Sequence, residues 1–195
     1  NVTSKLNRRI SLTGYYSWNR ARSDSDGLGT FPANPYDYVG EYGPSSNDIR
    51  HTVNASGSID TFWNIRLNPL ISLQSGRPFD ITTGSDLFGT TLFNGRPSLV
   101  TGSQRPGLIA TSYGLLDPNP VPGQFILSRN YGRGPGQMMV NLRITKTIGF
   151  GGDPKGGKSS NGAHRYSLSI ALSIRNLLNH TNPGPIIGNI TSPLF

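Results

Sequence analysis

Met138-Met139-Val140-Asn141-Leu142-Arg143-Ile144-Thr145-Lys146-Thr147-Ile148-Gly149-Phe150 alternates apolar and polar side chains almost without a break. Met138, Val140, Leu142, Ile144, Ile148 and Phe150 fall on one parity, and Asn141, Arg143, Thr145 and Thr147 on the other. A period of two is that of a strand with two unlike faces. The stretch outruns the usual globular strand of about 5–6 residues and is long enough for a tilted membrane-crossing strand, which needs about 9–11.

The same pattern recurs on both sides. Tyr166, Leu168, Ile170, Leu172 and Ile174 alternate with Ser167, Ser169, Ala171, Ser173 and Arg175. Upstream, Ile65, Leu67, Ile71 and Leu73 alternate with Arg66, Asn68, Ser72 and Gln74, and weaker alternation runs from Ile49 to Asp60 and from Leu6 to Arg20. Five long strands are expected, near 6–20, 48–60, 62–75, 137–150 and 165–177. No segment has helical spacing with proper caps. The fold class is therefore all-β.

The apolar faces could meet in a sandwich core. The opposite face is small and polar with scattered arginines, as in the lumen of an outer-membrane barrel whose apolar face meets lipid. The connections favour the barrel, because such barrels pair short turns on one side with long loops on the other. Long, Gly- and Pro-rich loops are expected at 21–47 and 76–136. A tight turn lies near Asp60-Thr61-Phe62, and a polar connection with Lys155 and Lys158 runs from Gly151 to His164. Tyr16, Trp18, Phe62, Trp63, Phe150 and Tyr166 fall at strand ends, where an interfacial girdle puts its rings.

Composition agrees. The chain has 195 residues, 34% of them hydrophobic, a net charge of +8, 25 glycines, 15 prolines and no cysteine. No cysteine means no disulfide scaffold, thiolate metal site or cysteine nucleophile. The hydrophobic share suits a wall in which every second strand residue faces lipid and long loops dilute the rest. No run approaches the 18 or so apolar residues of a membrane helix. The N-terminus, Asn1-Val2-Thr3-Ser4-Lys5, carries no signal-peptide pattern, so any targeting segment is expected upstream.

Five sequence words carry a resemblance: Tyr42 to His51 (YGPSSNDIRH), Ser75 to Phe79 (SGRPF), Asn94 to Pro97 (NGRP), Arg129 to Gly136 (RNYGRGPG) and Arg175 to Asn182 (RNLLNHTN). In this order they resemble the C-terminal part of a TonB-dependent outer-membrane receptor, of the Oar-like kind with a carboxypeptidase-regulatory-like domain. The resemblance covers nearly the whole chain. It implies a barrel of roughly 22 strands with a plugged lumen, of which residues 1–195 are a partial C-terminal segment lacking the plug. It also implies uptake of a scarce solute and a TonB-binding segment N-terminal to the barrel. Relatives continue past a segment like Ser192 to Phe195 with one more strand. Strand parity gives the same expectation, since five crossings leave the chain outside.

Catalytic chemistry is not expected. His51, His164 and His180 stand far apart, and there is no Gly-x-Ser-x-Gly. Gly132-Arg133-Gly134-Pro135-Gly136 lacks the setting of a P-loop or dinucleotide fingerprint. Thr83 to Gly89 holds one Asp, too few for a calcium loop. The basic residues are spread over both strand faces and the loops rather than clustered with aromatics, so nucleic acid is not an expected partner. Expected partners are the rest of the barrel and its plug, the TonB system and outer-membrane lipid; no cofactor is expected. Loop length alone points to Arg77, Arg96, Tyr113 and Tyr131 as residues that touch solute. The competing expectation is a released fragment whose open strand edges self-assemble into an extracellular cross-β filament.

Overall fold

The computed structural model describes residues 1–102, 105–151 and 166–195. These divide into two compact units. The first comprises Asn1–Ser17, Thr52–Gln74 and Gln137–Asn182, and the second Trp18–His51, Ser75–Gly136 and Pro183–Phe195.

The first unit is built on a six-stranded sheet. Its strands are β1 (Val2–Asn7), β2 (Ile10–Trp18), β3 (His51–Asp60), β4 (Ile65–Gln74), β5 (Gln137–Phe150) and β6 (Tyr166–Ile174), and they lie side by side in chain order. The order is that of a meander, in which each strand pairs with its neighbours in sequence. Among the described residues β1 and β6 each pair on one side only, and the sheet is open.

Six strands stand where five are expected. The stretch 6–20 breaks at Arg8-Arg9, and β1 folds back on β2 with Val2 opposite Gly14 and Asn7 opposite Ile10. The Asn7 side-chain oxygen accepts the Arg9 amide at 2.7 Å, closing the turn. A two-residue turn leaves the parity of the alternation intact, so the sequence pattern runs through it unmarked. The last strand also ends at Ile174 rather than 177. The Gly151 to His164 connection, with Lys155 and Lys158, lies outside the described residues from 152 onward.

Register keeps the two faces separate across the sheet. Leu67 pairs with Ile144 and Ile144 with Leu172; Pro69 pairs with Leu142 and Leu142 with Ile174. On the other parity Asn68 pairs with Arg143 and Arg143 with Ser173, while Asn54 pairs with Ser72. A one-residue slip in any strand would turn its apolar set to the polar face.

The apolar face is not a dry core. Leu168, Ile170 and Leu172 are more than half exposed, and the buried hydrophobic cluster is Ile81, Leu116, Leu127 and Ile190, all in the second unit. That arrangement rules out the sandwich, whose core would have to come from the strand faces. Lys146 is a cation on this face, close to the sheet's turn end, and its ammonium reaches the Trp63 carbonyl. The same end carries exposed Phe62 and Trp63 in the turn between β3 and β4, and Phe150 stacked on Tyr166 at 5.7 Å. Tyr16 and Trp18, both exposed, mark the opposite end of β2.

After β6 the chain stays tied to the sheet. The Asn182 side chain accepts the Met138 amide and donates to the Met138 carbonyl, both at 2.8 Å, and so satisfies the backbone as a further strand residue would.

Candidate functional site

The segments expected to be free loops fold together. In the second unit three very short strands, Ser98–Leu99, Gly114–Asp117 and Ile109–Thr111, form one small sheet. Gly132–Arg133 pairs with Pro78–Phe79, and Arg22–Ser23 with Gly43–Pro44. Ile81, Leu116, Leu127 and Ile190 close the core, with Phe79, Leu99, Ile109 and Tyr113 packed against it.

Four of the five sequence words meet here. The Arg133 guanidinium donates to the Asp48 carboxylate at 2.6 Å and to the carbonyls of Asp48 and Gly76 at 3.1 and 2.9 Å. Asp48, 1% exposed, also accepts the Ala21 amide at 3.0 Å. The Gly134 amide donates to the Arg77 carbonyl at 2.9 Å, and Gly76 lies so close to the Gly134 carbonyl that any Cβ would overlap it. The glycines of SGRPF and RNYGRGPG are thus a packing requirement.

A second knot joins 21–47 to 94–130. Arg96 and Glu41, both almost fully buried, form an ion pair, and Glu41 also accepts the Ala33 amide at 2.9 Å. Asn130 donates from its side chain to Asp26 and to the Pro44 carbonyl, both at 2.8 Å, and its amide donates to Asp80 at 2.7 Å. Arg129 lies 3.4 Å from Asp26 and donates to the Ser23 hydroxyl at 3.2 Å. Gly43 packs against the Arg129 carbonyl with no room for a Cβ.

These carboxyls are tuned in two directions. Burial pushes Asp26 and Asp48 up, but hydrogen bonds outweigh it and hold both below the ordinary carboxylate value. For Asp26 they come from Ser46 and Asn130, with Arg129 adding its charge; for Asp48 they come from Ala21, Arg133 and Arg50. At Asp80 burial wins over the Asn130 amide and the nearby arginines, and the carboxyl is raised. Asp26 and Asp48 therefore stabilise the unit above their unfolded value of about 3.9, and that contribution is lost as pH falls through their lower folded values. Asp80 has the opposite sign: it contributes fully below its unfolded value, and that contribution is lost as pH rises through its folded one. With two carboxyls against one, we expect amide exchange in residues 21–48 and 127–134 to accelerate as pH drops below about 4, after correction for intrinsic rates. Asp48→Asn should flatten that dependence.

The four residues singled out from loop length are placed as follows. Tyr113 and Tyr131 come together, with ring centroids 6.5 Å apart, and Tyr113 donates its hydroxyl to the Arg133 carbonyl at 3.0 Å. Tyr131 is 40% exposed. Arg96 is buried and paired with Glu41, while Arg77 is exposed and supplies a backbone carbonyl. In the stretch weighed for calcium, the Asp86 carboxylate accepts the Thr90 and Thr91 amides at 3.0 and 2.7 Å.

Sequence reasoning missed the acids. The chain has only 10 Asp and Glu against 18 Lys and Arg. Scarce carboxylates in so basic a chain are a signal, and Asp26, Glu41, Asp48 and Asp80 all sit in these knots.

Long two-faced strands in a meander, a bare apolar face and aromatic rings at the strand ends define the wall of an outer-membrane β-barrel. The chain belongs to the outer membrane beta barrel domain family, whose match spans residues 1–195, and its place is the outer membrane. No curated protein and no solved structure matches it.

Proposed function

We propose that this chain is part of a TonB-dependent receptor that takes up a scarce solute, with the second unit capturing the solute and the sheet forming part of the wall. The observation that carries this reading is the convergence of the receptor-like words on one packed unit, where Arg133 bridges Asp48 and Gly76. A connection that served only to join strands would need no core or buried ion pairs of its own. The unit's role is binding rather than catalysis. Its partners are the remaining wall strands and plug of the same receptor, the TonB system acting through the plug side, and lipid against Leu142, Ile144, Leu168 and Leu172.

The test is a comparison of solute depletion from limiting medium by cells with and without the gene, each with and without TonB. The reading predicts that both losses abolish uptake of the same solute. Uptake that persists without TonB contradicts it.

A second reading, a self-assembled extracellular filament, draws on the open edges of β1 and β6. Electron microscopy of the protein released from membranes separates the two. A filament with a spacing of about 4.8 Å supports the second reading; discrete detergent-borne particles support the first.

A further inference from the structure

A hollow of about 750 Å³ lies in the second unit, between the strand Ile109–Thr111 and the run 183–187. Its volume falls within the roughly 300–1,000 Å³ of small-molecule sites. All five residues of 109–113 line it, as do all five of 183–187. On one face of a strand only every second residue would do so, so Ile109–Thr111 meets the hollow along its edge. That edge carries free backbone groups, because the strand pairs with Gly114–Asp117 on its other side and, among the described residues, with no further strand. The rest of the wall is apolar. Phe79, Tyr113 and Ile190 belong to the core or pack against it, while Ile187 and Leu194 are 41% and 75% exposed.

The chemistry of the walls selects the occupant. Arg133 is the one charged lining residue among those described, and its guanidinium is already engaged by the Asp48 carboxylate and by the carbonyls of Asp48 and Gly76. The Tyr113 hydroxyl donates to the Arg133 carbonyl at 3.0 Å, and the Thr111 hydroxyl to the Gly114 carbonyl at 2.9 Å. A carboxylate or phosphate entering here would give up water and meet no free cation, and a polyhydroxylated solute would leave most of its hydroxyls unpaired. A mainly apolar molecule loses little on leaving water and covers Ile187 and Leu194. The strand edge can take one hydroxyl or carbonyl from it.

We infer that the hollow between Ile109–Thr111 and residues 183–187 binds a small, uncharged, mainly apolar molecule with a single polar group. The inference rests on reading the second unit as the solute-capturing part, and it names the class of solute.

The test is calorimetric titration of the full chain in phospholipid nanodiscs, with the signal of empty nanodiscs subtracted. The probes are 2-naphthol, its anionic counterpart 2-naphthoate, maltotriose and a capped Val-Ile-Val peptide. 2-Naphthol should bind at about 0.1 mM or tighter, and the other three at least ten-fold more weakly. Ala110→Trp, which fills the hollow, and Ile187→Asp, which sets a charge in its wall, should each weaken 2-naphthol binding at least ten-fold. Leu28→Ala, at an exposed apolar residue that does not line the hollow, should leave it unchanged. Ala110 and Ile187 are both exposed, so the substitutions leave the fold intact, and an unchanged amide-exchange pattern checks this. Failure of 2-naphthol to bind overturns the inference. So does an equal or tighter affinity for 2-naphthoate or maltotriose, or an equal loss in Leu28→Ala. Tighter binding of the peptide overturns it too and assigns the hollow to an added strand on Ile109–Thr111. Binding of 2-naphthol by a receptor whose uptake ignores TonB would instead preserve this site and remove the uptake reading.

Discussion

Leu142→Arg should destabilise the membrane-inserted protein by roughly 2–4 kcal/mol, the cost of a cation against the bilayer midplane on the lipid side of a barrel strand. Leu142 sits within β5 between Pro69 and Ile174, on the parity shared by Leu67, Ile144 and Leu172. Ser72→Arg, on the opposite face between Asn54 and Met139, should cost about 0.5 kcal/mol or less, because that face meets water. Urea titration in phospholipid vesicles, followed by heat-modifiable gel mobility, reads both. Lys146 shows why position on the strand matters. It shares the face of Leu142 but lies near the turn, and its ammonium escapes to the Trp63 carbonyl.

Asp48→Ala should loosen the second unit by about 3 kcal/mol, the lower end of the usual cost of breaking a buried ion pair by removing one partner. The lower end applies because Arg133 keeps 35% of its side chain exposed while Asp48 keeps 2%. The change strands the Ala21 amide and leaves Arg133 with two carbonyls and no counter-charge. Asp48→Asn keeps an acceptor for Ala21 and should cost less. Amide exchange of residues 21–48 and 127–134, measured with the protein in bilayers, gives the loss. β4 and β5 serve as the internal reference, because their ladder does not involve Asp48.

How far each part was legible follows from the physics of its signal. Strands β3 to β6 were visible because a two-faced strand must alternate, and Val140, Leu142 and Ile144 do so unmistakably. The β1–β2 hairpin was hidden because Arg8-Arg9 turns without changing parity; Asn7, two residues before Arg9, was the available cue. The second unit left no periodic trace. Its strands run two to four residues, and its core draws Ile81, Leu116, Leu127 and Ile190 from distant parts of the chain. The sequence words marked which residues matter there without showing that they touch. Arg96 illustrates the difference. As one residue in a long loop it read as a solute contact, and its partner Glu41 lies 55 positions away, beyond any local pattern.

The central claim is that the six-stranded sheet is a barrel wall with one face in lipid. The chain has no native cysteine, so single cysteine substitutions along β5 can each carry a spin label without background. Accessibility of each label to oxygen and to an aqueous nickel complex, in lipid bilayers, measures the claim directly. At Val140, Leu142, Ile144 and Ile148 oxygen should dominate, and at Asn141, Arg143, Thr145 and Thr147 nickel should, alternating residue by residue. Equal accessibility on both parities, or nickel dominance at Leu142 and Ile144, would contradict the account.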